Sequence, residues 1–216
     1  MIQHCLRHGM SPNDSTTNAN KVFNVCSFMK SAIVFLTLFA STAVVHADEA
    51  EATNRPVLGK RAPDFELPVV GSDEFLSLSD EYKQGKVVVV VLRGYPGYQC
   101  PLCSSQIAAL ANRSKTLLKE AHRVILVYPG EANELQRHAE RFMGSRSLPD
   151  PLIIVRDEGM EMVESWGLRW NASRETAYPS TFVLDGNGRV RWMKISKSHG
   201  ERSSVAEILK ELRKLK

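Results

Sequence analysis

The chain has 216 residues, 43% of them apolar, and its 28 basic and 24 acidic side chains leave a net charge of +4. This length favours one globular domain. The charges are spread along the chain, and without a basic cluster the sequence excludes the usual kind of nucleic-acid-binding surface. Four cysteines are too few for a disulfide scaffold of this length.

The N-terminal part predicts a targeting segment. Residues 1–28 are polar and show no apolar period, which favours loop or disorder. Met29-Lys30 then precedes an uncharged apolar run over 31–45, and the run ends with small residues at the −3 and −1 positions before the acidic residues that follow. This pattern predicts a secretory signal peptide with a natural start at Met29 and cleavage after Ala47, so residues 1–47 form an extension and a signal.

The alternative to a cleaved signal is a membrane anchor. A run of about fifteen apolar residues is short for this, since roughly 20 are needed to span a bilayer. We therefore expect an exported protein, periplasmic or secreted, that meets a membrane only if the signal segment is retained. Cleavage would remove Cys5 and Cys26 and leave Cys100 and Cys103 as the only cysteines.

The rest of the chain divides into a polar linker over 48–58 and a domain over 59–216. The domain begins with an extended segment over 59–68 and reaches a turn over 82–85. Apolar and β-branched runs predict five strands, over 86–92, 123–128, 151–155, 181–184 and 189–195. Helical spacing of apolar residues predicts four helices, from the cysteines to about 119, over 131–142, over 162–166 and over 205–215.

The order of these elements predicts an α/β fold. Strands that alternate with helices and then end in a hairpin and a helix form a mixed central sheet flanked by helices on both faces. The turn Asp185-Gly186-Asn187-Gly188 indicates the hairpin. A run of five valines over 87–91 has no polar alternation, and it predicts a strand buried on both faces.

The stretch over 93–103 carries a C-x-x-C at the point where a strand gives way to a helix. Pro101 suits the first helical position, which places Cys100 at the N-cap and Cys103 in the first turn. The unpaired N–H groups and positive partial charge of a helix N-terminus stabilise a thiolate, which is the reactive form of a thiol. Cysteines at this spacing can also close a disulfide, so the pattern predicts a thiol redox site.

Two other interpretations of the C-x-x-C are weaker. Half of a zinc site would need a second pair of ligands, and His122, His138 and His199 are isolated from one another along the chain. An inert disulfide would close a very short loop and restrict the unfolded chain little. We expect no metal and no cofactor.

A proline precedes the predicted strand over 181–184. A cis bond at Tyr178-Pro179 would indicate a structural or functional role, because cis X–Pro bonds are uncommon in folded proteins. The ordinary alternative is a trans proline at the start of a strand. Beside a C-x-x-C, the cis interpretation gains weight.

Together these features resemble the thioredoxin superfamily, and more closely the peroxiredoxin (alkyl hydroperoxide reductase/thiol-specific antioxidant) family, over about 59–216. The segment over 59–67 is similar to the start of that family. Pro96, Cys100 and Cys103 match the spacing of its active site, where a proline, a Thr or Ser and the peroxide-attacking cysteine follow one another. The resemblance implies a thioredoxin-like fold, with Cys103 as the peroxidatic cysteine.

The chain departs from that family at two positions. Cys100 stands where the family has Thr or Ser, and Pro179 stands about where it has an arginine that stabilises the thiolate. Both departures favour thioredoxin-like disulfide exchange, for which the resemblance makes Cys100 the attacking thiol, Cys103 the resolving thiol and Pro179 a cis proline facing them. Arg93 or Arg174 could replace the missing arginine, although a solvated surface position is the stronger expectation for each.

The sequence therefore predicts an exported antioxidant oxidoreductase that cycles a Cys100–Cys103 dithiol and disulfide. The first hypothesis is that it reduces peroxides, and the alternative is dithiol–disulfide exchange on protein substrates. Either activity needs an external thiol reductant, a thioredoxin-like protein or a small thiol. A lesser alternative is a copper carrier that uses both cysteines and a histidine.

Overall fold

The computed structural model describes residues 55–215 of the chain. The predicted signal peptide and most of the predicted linker lie outside these residues. Among the described helices, none combines the length and the apolar character that crossing a membrane requires.

The described chain contains seven strands: β1 Glu66–Pro68, β2 Phe75–Ser77, β3 Val87–Val91, β4 Arg123–Gly130, β5 Leu152–Glu158, β6 Ser180–Leu184 and β7 Val190–Ile195. Between and after them, the same residues form six helices: α1 Leu78–Gln84, α2 Pro101–Ala111, α3 Ser114–Leu117, α4 Leu135–Met143, α5 Glu161–Ser165 and α6 Val205–Lys214.

Five strands form one mixed sheet in the order β5-β4-β3-β6-β7, and β1 and β2 form a separate antiparallel pair. β3 is parallel to β4, and β4 is parallel to β5, so helices must cross between them. β6 is antiparallel to both β3 and β7. The prediction of an α/β fold with a mixed central sheet is confirmed.

The core lies on both faces of β3, whose five valines are completely buried. Successive side chains of a strand point to opposite faces. The even-numbered valines pack with apolar residues of α2, α4 and α6, such as Ile107, Phe142 and Ile208. The odd-numbered valines pack on the other face with residues of α1 and α5, such as Leu78 and Met162. Helices therefore cover both faces, as predicted.

Several predicted boundaries were wrong. The segment expected to lead to a turn over 82–85 forms α1, because Leu78 and Tyr82 lie on one buried helix face. The helix after the cysteines ends at Ala111 and is followed by the separate helix α3. β4 continues through Pro129-Gly130, where the carbonyl of Pro129 still accepts a hydrogen bond from the N–H of Tyr95. α4 begins only at Leu135, after Glu134 adopts a left-handed conformation.

The turn after β3 is held close to β4 at Gly94. Gly94 has a φ of 69°, a conformation that side chains with a Cβ rarely adopt. A Cβ at this position would overlap the carbonyl oxygen of Pro129. Only glycine therefore lets the backbone pass β4 at the distance needed for the Tyr95 N–H to reach Pro129, 2.9 Å away.

We expect Gly94→Ala to destabilise the protein more than Gly97→Ala does. Gly97 also has a positive φ, of 99°, but a Cβ there would meet open space. The difference in free energy of unfolding should be about 1–3 kcal/mol, the usual cost of forcing extra volume into a packed site. Urea unfolding of both variants measures it, and equal destabilisation would show that the close approach at Gly94 is unimportant.

Candidate active site

Helix α2 positions the two thiols. Cys100 is the N-cap residue in extended conformation, and Pro101 lies in the first turn, both as predicted. The backbone N–H groups of Cys103 and Ser104 donate to the carbonyl oxygen of Cys100, at 3.1 and 3.2 Å. Both cysteines are free thiols, and they are buried, with exposures of 3% for Cys100 and 0% for Cys103.

The two thiols have opposite tendencies to ionise. A hydrogen bond from Cys103 lowers the pKa of Cys100, overcoming the effect of burial, and the positive charges of Arg202 and Arg93 lower it further. The same hydrogen bond and burial raise the pKa of Cys103, although Arg202 opposes the rise. The surroundings therefore favour a thiolate at Cys100 over a thiolate at Cys103.

One arginine reaches both sulfur atoms. Nη2 of Arg202 lies 3.8 Å from Sγ of Cys100 and 3.6 Å from Sγ of Cys103. Its Nε donates to the carbonyl oxygen of His199 at 2.9 Å, and its Nη1 donates to Oε1 of Gln106 at 2.7 Å. The guanidinium is therefore fixed over the thiol pair by its other donors.

Arg202 is not among the site residues that the sequence predicts. It is 99 residues beyond Cys103, in an irregular segment between β7 and α6. No local motif marks it, and only the fold brings this segment over the start of α2.

Arg93 is buried, so the expectation of a solvated position was wrong for it. Its exposure is 4%, and its guanidinium makes two hydrogen bonds to the carboxylate of Glu175, at 2.7 and 2.9 Å. It also donates to the hydroxyl of Tyr98 and to the carbonyl oxygen of Arg174, which is itself exposed. Arg93 thus ties the loop that precedes Cys100 to the segment around Glu175, and its side chain faces the carboxylate rather than the sulfurs.

Glu175 connects this ion pair to a histidine. Nε2 of His199 lies 3.0 Å from Oε1 of Glu175. Burial would raise the pKa of Glu175, but hydrogen bonds from Arg93 and His199 lower it overall, so the carboxylate stays ionised. The His199 ring also packs against Trp170, which stacks on Tyr178 with ring centroids 4.8 Å apart.

The remaining predicted prolines have different environments. Pro96 lines a cavity of about 370 Å³ beside the loop, which Arg174 and Glu175 also line. Pro179 is buried and trans, because the one cis peptide bond of the described chain joins Asp150 and Pro151. The expected cis bond at Pro179 was therefore wrong. The carbonyl of Pro179 accepts a hydrogen bond from Ser196 at 2.9 Å, which extends the pairing of β6 with β7.

A polar chain supports the loop from behind. The hydroxyl of Tyr128 donates to Oε1 of Gln99 at 2.9 Å, and Nε2 of Gln99 donates to the carbonyl oxygen of His138 at 3.0 Å. The His138 ring stacks on Tyr95, with centroids 3.7 Å apart. Burial raises the pKa of Tyr128, so this hydroxyl keeps the proton that it donates.

The three histidines of the described residues, His122, His138 and His199, do not form a ligand cluster with the cysteines. His122 pairs with Glu81 at 3.0 Å, and His138 and His199 make the contacts described above. Over residues 55–215, no group of three or more metal-ligating side chains clusters in space.

The Redoxin family profile matches residues 58–209. The chain belongs to the Redoxin family. The match confirms the prediction that the chain is a redoxin of the thioredoxin superfamily. The protein is an oxidoreductase. Among curated proteins, this redoxin is similar to the thiol:disulfide interchange protein DsbE of two strains of Xylella fastidiosa. Each is 27% identical over 161 residues, which cover 74% of this chain and 72% of the relative.

Solved structures share the redoxin's fold. The reduced 2-Cys peroxiredoxin of Plasmodium vivax has a TM-score of 0.56 at 18% identity, covering 72% of this chain and 80% of its own. A peroxiredoxin-like protein from Aquifex aeolicus has a TM-score of 0.59 at 15% identity, covering 75% and 89%. These likenesses confirm the thioredoxin-like architecture.

The neighbouring thiol of Cys103 should control when Cys100 becomes reactive. Alkylation of Cys100 by iodoacetamide needs the thiolate, so its rate should rise through a midpoint well below the usual pKa of about 8.5. Cys103→Ala removes the donor and should move that midpoint to higher pH, whereas Cys103→Ser keeps a donor and should move it less. Mass spectrometry of the Cys100 peptide against pH measures this. Identical profiles for the parent and Cys103→Ala would contradict it.

The Arg93–Glu175 pair should be important for stability. Its side chains are only 5% and 10% exposed, so Glu175→Ala would leave a buried cation without its partner, at a cost of about 3–5 kcal/mol. Asp80→Ala is the matched control, since it breaks the exposed pair with Lys83 and should cost below about 1 kcal/mol. Urea unfolding compares the two, and a similar small loss for both would refute a structural role for Glu175.

Proposed function

We propose that this redoxin is an exported thiol:disulfide oxidoreductase in which Cys100 attacks and Cys103 resolves. The observation that carries the proposal is the placement of the pair: Cys100 caps α2 and keeps slight exposure, whereas Cys103 is completely buried. Only the thiolate is nucleophilic, and the surroundings lower the pKa of Cys100 while they raise that of Cys103. Export rests on the signal-peptide pattern, and the name of the Xylella relatives supports the exchange reaction.

The reaction proceeds in two exchanges. The Cys100 thiolate attacks one sulfur of a partner disulfide, forms a mixed disulfide and releases the partner's other sulfur as a thiolate, which takes up a proton. Cys103 then gives up its proton and attacks Sγ of Cys100. The Cys100–Cys103 disulfide forms and the partner leaves with both sulfurs reduced. An external thiol reverses these steps to restore the dithiol.

The surface beside Cys100 favours a protein partner. Tyr98 and Leu102 are 43% and 44% exposed, and they flank the thiol in sequence on either side. Exposed apolar side chains next to a buried polar site are typical of a surface that meets another protein. Small oxidants would not need such a surface.

Peroxide reduction by Cys103 is the second candidate function. The spacing of Pro96 and Cys103 supports it, and so does the guanidinium of Arg202, 3.6 Å from Sγ of Cys103. In this mechanism the Cys103 thiolate attacks the O–O bond and becomes a sulfenic acid, and Cys100 condenses with it, releasing water and forming the disulfide. Burial and the raised pKa of Cys103 make this the less favoured order.

Two serine variants separate these functions. In the full chain carrying Cys5→Ser and Cys26→Ser, the proposal predicts that Cys103→Ser accumulates a mixed disulfide at Cys100 with a disulfide-bonded protein. Cys100→Ser should trap none, and neither variant should consume peroxide rapidly. Non-reducing electrophoresis with peptide mapping and a peroxide assay give the readouts. Rapid peroxide loss in Cys100→Ser that Cys103→Ser abolishes, without trapping, would establish the peroxidase order instead.

A further inference from the structure

We propose that Arg202 is a catalytic residue that stabilises the two thiolates in turn, first Cys100 in the resting site and then Cys103 in the mixed disulfide. This inference rests on the proposed exchange function and adds to it the group that enables the second step. Neither the C-x-x-C motif nor the family match assigns a role to this arginine.

The position of the guanidinium suits both sulfurs. Nη2 is 3.8 Å from one Sγ and 3.6 Å from the other, so the charge can act on either thiolate without moving. Both sulfurs are buried, where an opposite charge at this distance acts more strongly than in water. The guanidinium cannot lose its proton, so it remains a cation whichever cysteine ionises.

The segment that carries Arg202 is anchored on both sides. The hydroxyl of Ser203 hydrogen-bonds that of Thr181 in β6, and the hydroxyl of Ser196 donates to the carbonyl oxygen of Glu201. Together with the bonds of Arg202 to Gln106 and His199, these contacts hold the cation in place through the cycle. The arginine is therefore preorganised for charge that develops on sulfur.

The second exchange creates the need for this charge. Once Cys100 is in a mixed disulfide it no longer carries the negative charge that disfavours ionisation of Cys103. Cys103 must still become a thiolate inside a buried site, and an uncompensated charge there is costly. The groups facing it that affect its ionisation are Arg202, Cys100 and a backbone hydrogen bond from Arg93, and the neighbouring Tyr128 is neutral.

The proton and charge balance is complete with these groups. The first exchange releases a partner thiolate. This thiolate takes up, by way of solvent, the proton that Cys103 loses. Arg202 then faces the Cys103 thiolate in place of the Cys100 thiolate, so the number of charges in the site is the same before and after. The second exchange carries that negative charge out on the departing partner sulfur.

The two steps can be followed with one equivalent of an aromatic disulfide whose thiolate is coloured. In the full chain with Cys5→Ser and Cys26→Ser, attack by Cys100 releases the first thiolate and resolution by Cys103 releases the second. Arg202→Met should slow the second phase at neutral pH by about 3- to 40-fold, because a pKa rise of about 1–3 lowers the thiolate fraction and greater nucleophilicity offsets about half of the loss. In the same variant, the midpoint of the first-phase rate against pH should move to a higher pH.

Matched variants test whether charge is responsible. Arg202→Lys keeps the cation and should retain most of the second-phase rate, whereas Arg202→Gln should behave like Arg202→Met. Lys197→Met removes a cation from the same segment and should leave both phases at the parent rate. Parent kinetics in Arg202→Gln, or a loss in Arg202→Lys as large as in Arg202→Met, would overturn the proposal.

A titration without kinetics provides a second readout. In a Cys100→Ala background, the ultraviolet absorbance of the Cys103 thiolate should appear at a pH about 1–3 higher when Arg202→Met is added. If Arg202→Met leaves the titration or the second phase unchanged, the role of Arg202 is contradicted but the exchange function is not. A parent chain that releases only one coloured thiolate contradicts the proposed exchange function instead, so the two failures are distinguishable.

Discussion

Two buried thiols at the start of α2 govern this site. Their interaction lowers the pKa of Cys100 and raises that of Cys103, which favours Cys100 as the nucleophile and Cys103 as the resolving thiol. Burial makes this interaction important, because water cannot compete for the thiolate. The rest of the structure serves to place these sulfurs at the start of α2 and to position Arg202 beside them.

Most of the fold could be predicted from the sequence because its central strand β3 is apolar without interruption. The valines of β3 are buried on both faces, and a continuous β-branched run has no other stable location. The ends of elements were less predictable. The Pro129-Gly130 pair predicts the end of a strand, but β4 continues through it. The carbonyl of Pro129, rather than the missing N–H, makes the contact with Tyr95. α1 was missed because its apolar residues are few and its first turn is polar.

The site was predictable only where it is local in sequence. The placement of Cys100 and Pro101 follows from the helix start, since the requirements of an N-cap and a first turn lie within a few residues. Arg93 was assigned to the surface because its partner, Glu175, is 82 residues away and nothing in the sequence pairs them. Arg202 is equally remote, and Pro179 is trans where the resemblance implied cis. The charges that tune the thiols come from segments that meet only in the folded chain.

The order of ionisation within the pair is the central claim, and carbon NMR of the reduced protein with labelled cysteine tests it most directly. Each Cβ resonance reports the ionisation of its own sulfur as pH rises. The account predicts that Cys100 titrates first, below the usual thiol pKa of about 8.5, and that Cys103 titrates above it. Titration of Cys103 first, with Cys100 neutral over the same range, would contradict the assignment of the attacking thiol.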